Sequence, residues 1–531
     1  MNNIFIGLSW PYANGELHIG HLGSSLPADI LARYFRLKGN KVCFVSGSDC
    51  YGTPISIQAQ KEKRSPNEIS NYYHNRFIKD FKDLNFEFDY YTKTDNKNHI
   101  NFARAFHKNL YDTDYVYTKE EKRLYCESCK RFLPDRYVLG ECPNCGSACK
   151  GDACEKCGKI FEPEELINPL CGICSAAPIF KDNFQYYIKL SKLEKALKNY
   201  FELKKENWNV NAINLTERYF SEGLIDRAIS RDLDWGVAIP INIKEKVIYN
   251  WAENVLGYID ACKEYCEINN LNFYEWFRNK NTKHYYVHAK DNIQFHTIIY
   301  PALLLANGNK YNLPDYVLSY EFVTNNGQKI SKSKGTYLSV RELLNKYDVD
   351  FLRYYFAKNV SDKKDLDFKE SELINAANGE LINNWANLVN RTLSFIKNKF
   401  NGVVEKNSVE EDIKTKIKNT YESVGKFIEK GKISNALKEI LELVDFANKY
   451  FNNTEPWNVL KQDESKCKNL CYQYLTIIAN IAILINPFTP KGSEKVLSWL
   501  NINNISYSFK LLENTQINLF EQLYKKIEIN N

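Results

Sequence analysis

Apolar and polar positions alternate in short blocks at the start of the chain. Ile4 to Leu8 is a continuous apolar run, with the length and make-up of a buried strand. Pro11, Asn14 and Gly15 then break the pattern. From His21 to Lys38, residues Leu22, Leu26, Ile30, Leu31, Tyr34, Phe35 and Leu37 recur at helical spacing, and Gly39 ends the run. Val42 to Ser46 is strand-like again, ahead of Gly47 and Gly52-Thr53-Pro54. Strand, loop, helix and strand in that order predict a βαβ unit. Such a unit implies a parallel sheet with ligands at the carboxyl ends of its strands. Strand and helix signals return at Tyr285 to His288, Ile293 to Leu305 and Val317 to Thr324. Beyond about Phe368 the pattern is helical throughout, with Leu437, Ile440, Leu441, Val444, Ala447 and Phe451 on one apolar stripe. The most apolar stretch, Leu475 to Ile485, is broken by Asn480 and closed by Asn486 and Pro487. A bilayer needs about 20 such residues, so a buried helix is predicted and no membrane partner.

Composition narrows the class. A chain of 531 residues exceeds one hydrophobic core, which predicts two to four domains. It is 44% hydrophobic and 26% charged, as folded chains are. Lys+Arg 71 against Asp+Glu 65 leaves +6, too mild an excess to argue for a nucleic-acid partner or against one. Met1 to Trp10 has no basic n-region, so no secretory signal is read there and a cytoplasmic location is expected. Fifteen cysteines, an odd number in such a chain, argue against a disulfide framework. Eight of them form four C-x-x-C pairs, Cys126/Cys129, Cys142/Cys145, Cys154/Cys157 and Cys171/Cys174. Glycines 140, 146, 151, 158 and 172 lie among them, so residues of about 116 to 180 read as an insertion into the sheet. Two C-x-x-C turns suit a tetrahedral Zn²⁺, and iron–sulfur ligation shares the same donors. The other seven, Cys43, Cys50, Cys149, Cys262, Cys266, Cys467 and Cys471, read as ordinary buried or loop thiols.

Two short motifs carry the chemistry. His18-Ile19-Gly20-His21 places two imidazoles around a glycine where the first helix begins, and helix N-termini attract anions. Gly20 would let a planar nucleotide approach the backbone. Some 300 residues on, Gln328-Lys329-Ile330-Ser331-Lys332-Ser333-Lys334 lies between Gly327 and Gly335. Its ammonium groups could clamp phosphates as point charges. Either motif alone has a bland reading, as solvated histidines or a lysine-rich loop. No G-x-G-x-x-G or Walker lysine motif is present, which removes the common dinucleotide and P-loop readings.

In this order the two motifs resemble the signature pair of class I aminoacyl-tRNA synthetases. Pro11-Tyr12-Ala13-Asn14-Gly15, Gly52-Thr53-Pro54, Phe132-Leu133-Pro134-Asp135-Arg136, Arg231 to Gly236, Lys290-Asp291-Asn292 and Glu455-Pro456-Trp457 narrow this to a resemblance to the methionyl-tRNA synthetases, running from Trp10 to about Trp457. The resemblance implies an α/β class I Rossmann-like catalytic domain with a zinc-knuckle insertion, followed by an all-α anticodon-binding bundle. The corresponding divisions are 1–115 and 233–308 for the catalytic domain, 116–232 for the insertion, 309–368 for the region bearing the lysine motif, and 369–531 for the bundle. It implies that methionine attacks ATP, carried with Mg²⁺, and that the adenylate then passes to tRNA(Met). By the same resemblance, His18, His21, Lys329 and Lys332 serve the phosphates, with Gly20, Asp291 and Ser331 also at the nucleotide. Asp49 would hold the amino-acid ammonium, and Trp10, Tyr12, Trp251, Tyr258 and His296 would wall the side-chain pocket. Cys142, Cys145, Cys154 and Cys157 would hold one structural zinc, and Cys126, Cys129, Cys171 and Cys174 a second. Asn387, Arg391 and Trp457 would read the anticodon. Cys50-Tyr51, Ala289 and Ala252-Glu253-Asn254 depart from the commoner family residues near the pocket. The competing readings are a synthetase paralogue of altered specificity and a non-catalytic zinc-ribbon nucleic-acid binder. A monomer is the default expectation.

Overall fold

The computed structural model describes residues 2–528, apart from 135–136, 152–153, 155, 158–160, 162, 244–245, 309 and 331–335. Its centre is a five-stranded sheet in the order Tyr316–Tyr320, Lys283–Ala289, Asn3–Leu8, Lys41–Ser48 and Tyr90–Lys93. Every neighbouring pair is parallel, as the opening βαβ pattern predicts. Asn3–Leu8 lies in the middle, flanked on both sides and almost wholly buried. That is why its side chains form a continuous apolar run instead of alternating with polar ones. Helix Ile19–Leu37 crosses from that strand to Lys41–Ser48.

The insertion has its own antiparallel framework. Val116–Cys126 pairs with Ile179–Ile188 from Val116↔Ile188 to Tyr125↔Ile179. A second small sheet joins Ala148–Lys150, Val138–Glu141 and Ile167–Cys171. The four cysteine pairs hang on these strands, and all fifteen cysteines are free of disulfides.

Toward the C-terminus the chain is helical. The stripe read in the sequence lies on helix Ile433–Thr454, where Leu437, Ile440, Val444, Ala447 and Phe451 are buried. The apolar stretch belongs to helix Glu464–Ile485, longer than its apolar core and long enough to span a bilayer. It is instead the axis of the bundle, with every residue from Leu470 to Ile485 buried. Two expectations need correction. Val317 to Thr324 is not one strand: it divides into Tyr316–Tyr320 and Val323–Asn325, the latter in a separate sheet with Leu366–Phe368. The helical region ends at Trp499, and the chain beyond it is extended, with one short strand, Thr515–Gln516, paired to Val403–Val404. Buried Leu512, Ile517, Leu523 and Tyr524 pin that chain to the bundle without helical periodicity.

Candidate active site

The carboxyl ends of the central strands open onto a cavity of about 340 Å³. Trp10, Tyr12, His18, Gly20, His21, Trp251, Asp291 and Lys329 all line it. Thus residues more than 300 positions apart meet where a parallel sheet places its ligands.

His18 is the N-cap of helix Ile19–Leu37. Its Nδ1 accepts from the Gly20 amide at 3.1 Å, while the His18 amide donates to Nδ1 of His21 at 3.1 Å. Each ring spends its Nδ1 as an acceptor, so each carries its ring proton on Nε2. Burial holds the His21 pKa down to about 4. The site therefore offers neutral N–H donors at a helix start, where the backbone dipole supplies the positive field. Gly20 lines the cavity and has a second, local role. A Cβ there would stand 2.9 Å from the His18 ring and 3.3 Å from Ile330. The missing side chain makes room for the histidine cap and for the lysine-bearing segment.

That segment enters along Gln328–Lys329, paired with Val323–Asn325. Beyond it, Thr336 Oγ1 donates to the Lys329 carbonyl at 2.7 Å, and Tyr337 donates to the Glu16 carbonyl. Ile19 and Val340 donate backbone hydrogen bonds to Leu338 and Leu17 respectively. Both ends of the lysine motif are therefore fastened beside the two histidines. Ser331 and Lys332 lie outside the described residues.

Asp49, Tyr258 and His296 are fully buried behind the cavity wall rather than lining it. Asp49 Oδ2 accepts from Asn250 Nδ2 at 2.8 Å, and Oδ1 accepts from the Tyr51 amide at 3.1 Å. Burial first, and Glu253 second, push its pKa well above the ordinary carboxylate range. Asn250 Nδ2 also reaches the Tyr12 hydroxyl at 3.2 Å. Asn250 was not apparent in the sequence, though it adjoins Trp251. The Trp251 ring stacks on Phe295 at 4.0 Å with 3° between planes and meets Tyr12 edge-on at 6.0 Å. Tyr258 and His296 share a 2.8 Å hydrogen bond between the hydroxyl and Nε2, while His296 Nδ1 lies 2.9 Å from the Asn292 carbonyl. Only a donor can face a carbonyl, so Nδ1 carries the proton and Nε2 accepts from Tyr258. Trp10 packs between Gly47 and Gly257, where an added Cβ would come within 2.6 and 2.7 Å of its ring.

The cysteines gather as two sets of four, Cys126, Cys129, Cys171 and Cys174, and Cys142, Cys145, Cys154 and Cys157. Sulfur separations of 3.5 and 3.9 Å in the first, and 3.7 Å twice in the second, match the edge of a four-sulfur tetrahedron. With Zn–S near 2.3 Å that edge is about 3.8 Å, so both donor sets fit the metal. The residue after the second cysteine has positive φ in three turns, at Lys130, Gly146 and Ser175. The tight turn thus does not require glycine, and Gly158 lies outside the described residues.

On the bundle, Asn387 and Arg391 sit one turn apart on helix Asn387–Phe400. The Arg391 guanidinium covers the Phe451 ring at 4.4 Å and donates to Asn448 Oδ1 at 2.7 Å and Asn452 Oδ1 at 2.9 Å. Trp457 is 43% exposed, its ring 6.1 Å from Phe451. It does not plug the bundle.

Comparison with known proteins agrees along the whole chain. Residues 4–393 match the family described as tRNA synthetases class I (M), and residues 401–528 match the anticodon binding domain of methionyl tRNA ligase. The chain is 44% identical over 531 residues to methionine–tRNA ligase 1 of Alkaliphilus oremlandii (strain OhILAs), covering 99% of this chain and 98% of that protein. It is 42% identical over 530 residues to methionine–tRNA ligase of Bacillus cereus (strain B4264), covering 99% and 97%. The fold alone also aligns with the crystal structure of Mycobacterium tuberculosis methionyl-tRNA synthetase bound by methionyl-adenylate, with TM-score 0.81, 20% identity and coverage of 98% and 100%. With the histidine helix start, the aromatic wall and the anticodon-type bundle joined in one chain that matches end to end, this protein belongs to the methionine–tRNA ligase family of class I tRNA synthetases.

Proposed function

We infer that the chain joins methionine to tRNA(Met) in two steps, with the labour divided among the site residues. The methionine carboxylate attacks the α-phosphorus of ATP, and pyrophosphate leaves with the bond's electron pair. A ribose hydroxyl of the terminal tRNA nucleotide then attacks the adenylate carbonyl and displaces AMP. Neither step needs a nucleophile from the protein. Positioning and charge stabilisation are the enzyme's task.

His18 and His21 donate from Nε2 to phosphate oxygens at the helix start, and Lys329 and Lys332 bring positive charge from the opposite side. Gly20, Asp291 and Ser331 complete the nucleotide contacts, and Mg²⁺ rides on the phosphates. Asp49 takes the substrate ammonium while Asn250 and the Tyr51 amide keep its carboxyl oriented. That cation supplies the counter-charge the buried carboxyl otherwise lacks. Trp10, Tyr12, Trp251, Tyr258 and His296 shape an aromatic pocket suited to a polarizable thioether. Each cysteine set would hold one zinc, which would fix the insertion's turns and leave no open position for substrate. Asn387, Arg391 and Trp457 read the anticodon. We assign the domains the limits expected from the sequence and take the enzyme to act as a cytoplasmic monomer.

The observation that carries this reading is the meeting of the His18/His21 helix start and the Trp10, Tyr12 and Trp251 wall in one cavity. Amino-acid-dependent ATP–pyrophosphate exchange with all twenty amino acids tests it. Methionine alone should support rapid exchange. Exchange with another amino acid would favour the paralogue of altered specificity, and none at all the non-catalytic reading.

A further inference from the structure

Helix Lys97–Tyr111 is outside every motif of the catalytic site, yet it buries two histidines on one face. His99 and His107 are eight residues apart, about two turns, and neither is more than 1% exposed. Both reach the same short segment of the chain. His99 Nε2 lies 2.5 Å from Glu253 Oε2, and His107 Nε2 lies 3.1 Å from the Ala252 carbonyl. A carbonyl only accepts, so His107 donates. Burial depresses both pKa values, that of His107 to about 4. The segment they grip is helix Asn250–Glu253. Its first two residues are Asn250, which binds Asp49 and Tyr12, and Trp251, which walls the cavity. The segment opens a helical run that continues through Asn254–Leu256 into Gly257–Ile268, so Asn250 and Trp251 stand at a helix end, where the chain frays unless it is held from outside.

We propose that His99 and His107 are positioning residues for the amino-acid substrate, clamping Asn250–Glu253 from behind so that Asn250 and Trp251 meet Asp49 and the pocket in register. Neither histidine touches the cavity, so neither is catalytic. The nucleotide is held from other elements, the helix start at His18 and the segment at Lys329. Loosening the clamp therefore affects one substrate and spares the other. This inference rests on the reading of Asp49 and Trp251 as methionine contacts.

The test measures exchange kinetics and melting temperature for His99→Leu and His107→Leu beside the glutamine variants, whose amide nitrogen can replace Nε2–H. Each leucine variant should raise the methionine KM about tenfold or more, with kcat and the ATP KM within about twofold, since small misplacements of a positioning group act on the ligand it places. The glutamine variants should recover most of the loss. A folded leucine variant with unchanged methionine KM overturns the inference, as does a parallel change in kcat and both KM values. If His99→Leu does not fold, Glu253→Met, which keeps the bulk and removes the partner of His99, takes its place under the same criteria. A wild-type protein without methionine-dependent exchange would instead defeat the functional reading itself.

Discussion

The cavity and the bundle face use similar side chains in opposite settings. At the cavity, polar groups are committed in advance: His18 and His21 are locked by backbone amides, and Asp49 is held by Asn250 and the Tyr51 amide. On the bundle, Asn387 is exposed, Trp457 projects with 43% of its surface free, and only Arg391 is firmly held, by Asn448 and Asn452. On the roles proposed above, the difference follows from the ligand each region handles. A small substrate bringing charge into a buried site needs dipoles already oriented, because reorienting them during reaction costs rate. An unpaired nucleic-acid loop brings its own flat rings, and a protruding indole with a fixed cation beside it suffices to stack and hydrogen-bond them. The two regions should therefore respond to substitution in different reactions.

The largest effect is expected in the cavity. His21→Ala removes a neutral donor at the helix start and also frees the His18 amide that its Nδ1 accepts from. Adenylate formation should fall about a hundredfold or more, the scale of losing one oriented transition-state donor. Lys332→Ala should match it. Exchange and tRNA charging should fall together, because charging consumes the adenylate. Near-normal exchange in either variant would remove the distinction between a committed site and a merely polar one.

The bundle should give a smaller effect confined to one reaction. Trp457→Ala should weaken tRNA binding by about 1–3 kcal/mol, the range for one stacked base, and raise the tRNA KM accordingly. Pyrophosphate exchange should stay intact, since it needs no tRNA. If both reactions fall and the protein melts earlier, Trp457 is a packing residue and the contrast with the cavity is lost.

How far these regions were legible in the sequence depends on whether their physics is local. His18 and His21 were legible because a helix start is a local event and glycine spacing marks it. The C-x-x-C spacing marked the eight candidate ligands, but their division into two sets came from the family resemblance and not from spacing. Trp10 was readable as an aromatic, but its seat between Gly47 and Gly257 was not. Close approach of segments some 40 and 250 positions away leaves no local pattern. The same holds for Asn250, His99 and His107, whose burial and partners come from distant segments. The extended chain after Trp499 escaped notice for a related reason. Its isolated apolar residues are held by a bundle already formed, so no period of its own was required.

The insertion sharpens the comparison with the smallest expected kinetic effect. Its two cysteine sets differ in reach. Cys142, Cys145, Cys154 and Cys157 close a loop of adjacent turns, whereas Cys126 and Cys129 bind across to Cys171 and Cys174, the far side of the same insertion. Purified protein should carry close to two zinc ions by elemental analysis, and Cys142→Ser with Cys154→Ser should remove one. Metal binding is folding free energy for such turns, so proteolysis should then cut within the local loop while the outer strands, still fastened by the second set, resist. Exchange in this double variant should change less than charging does in Trp457→Ala, because none of these cysteines lines the cavity. Cys126→Ser with Cys171→Ser should expose more of the insertion to protease, since it releases the closure that encloses the other set. One zinc in the wild-type protein would mean that the outer pairs are not a metal site, and Cys126→Ser with Cys171→Ser should then leave metal content and protease resistance near the wild-type level.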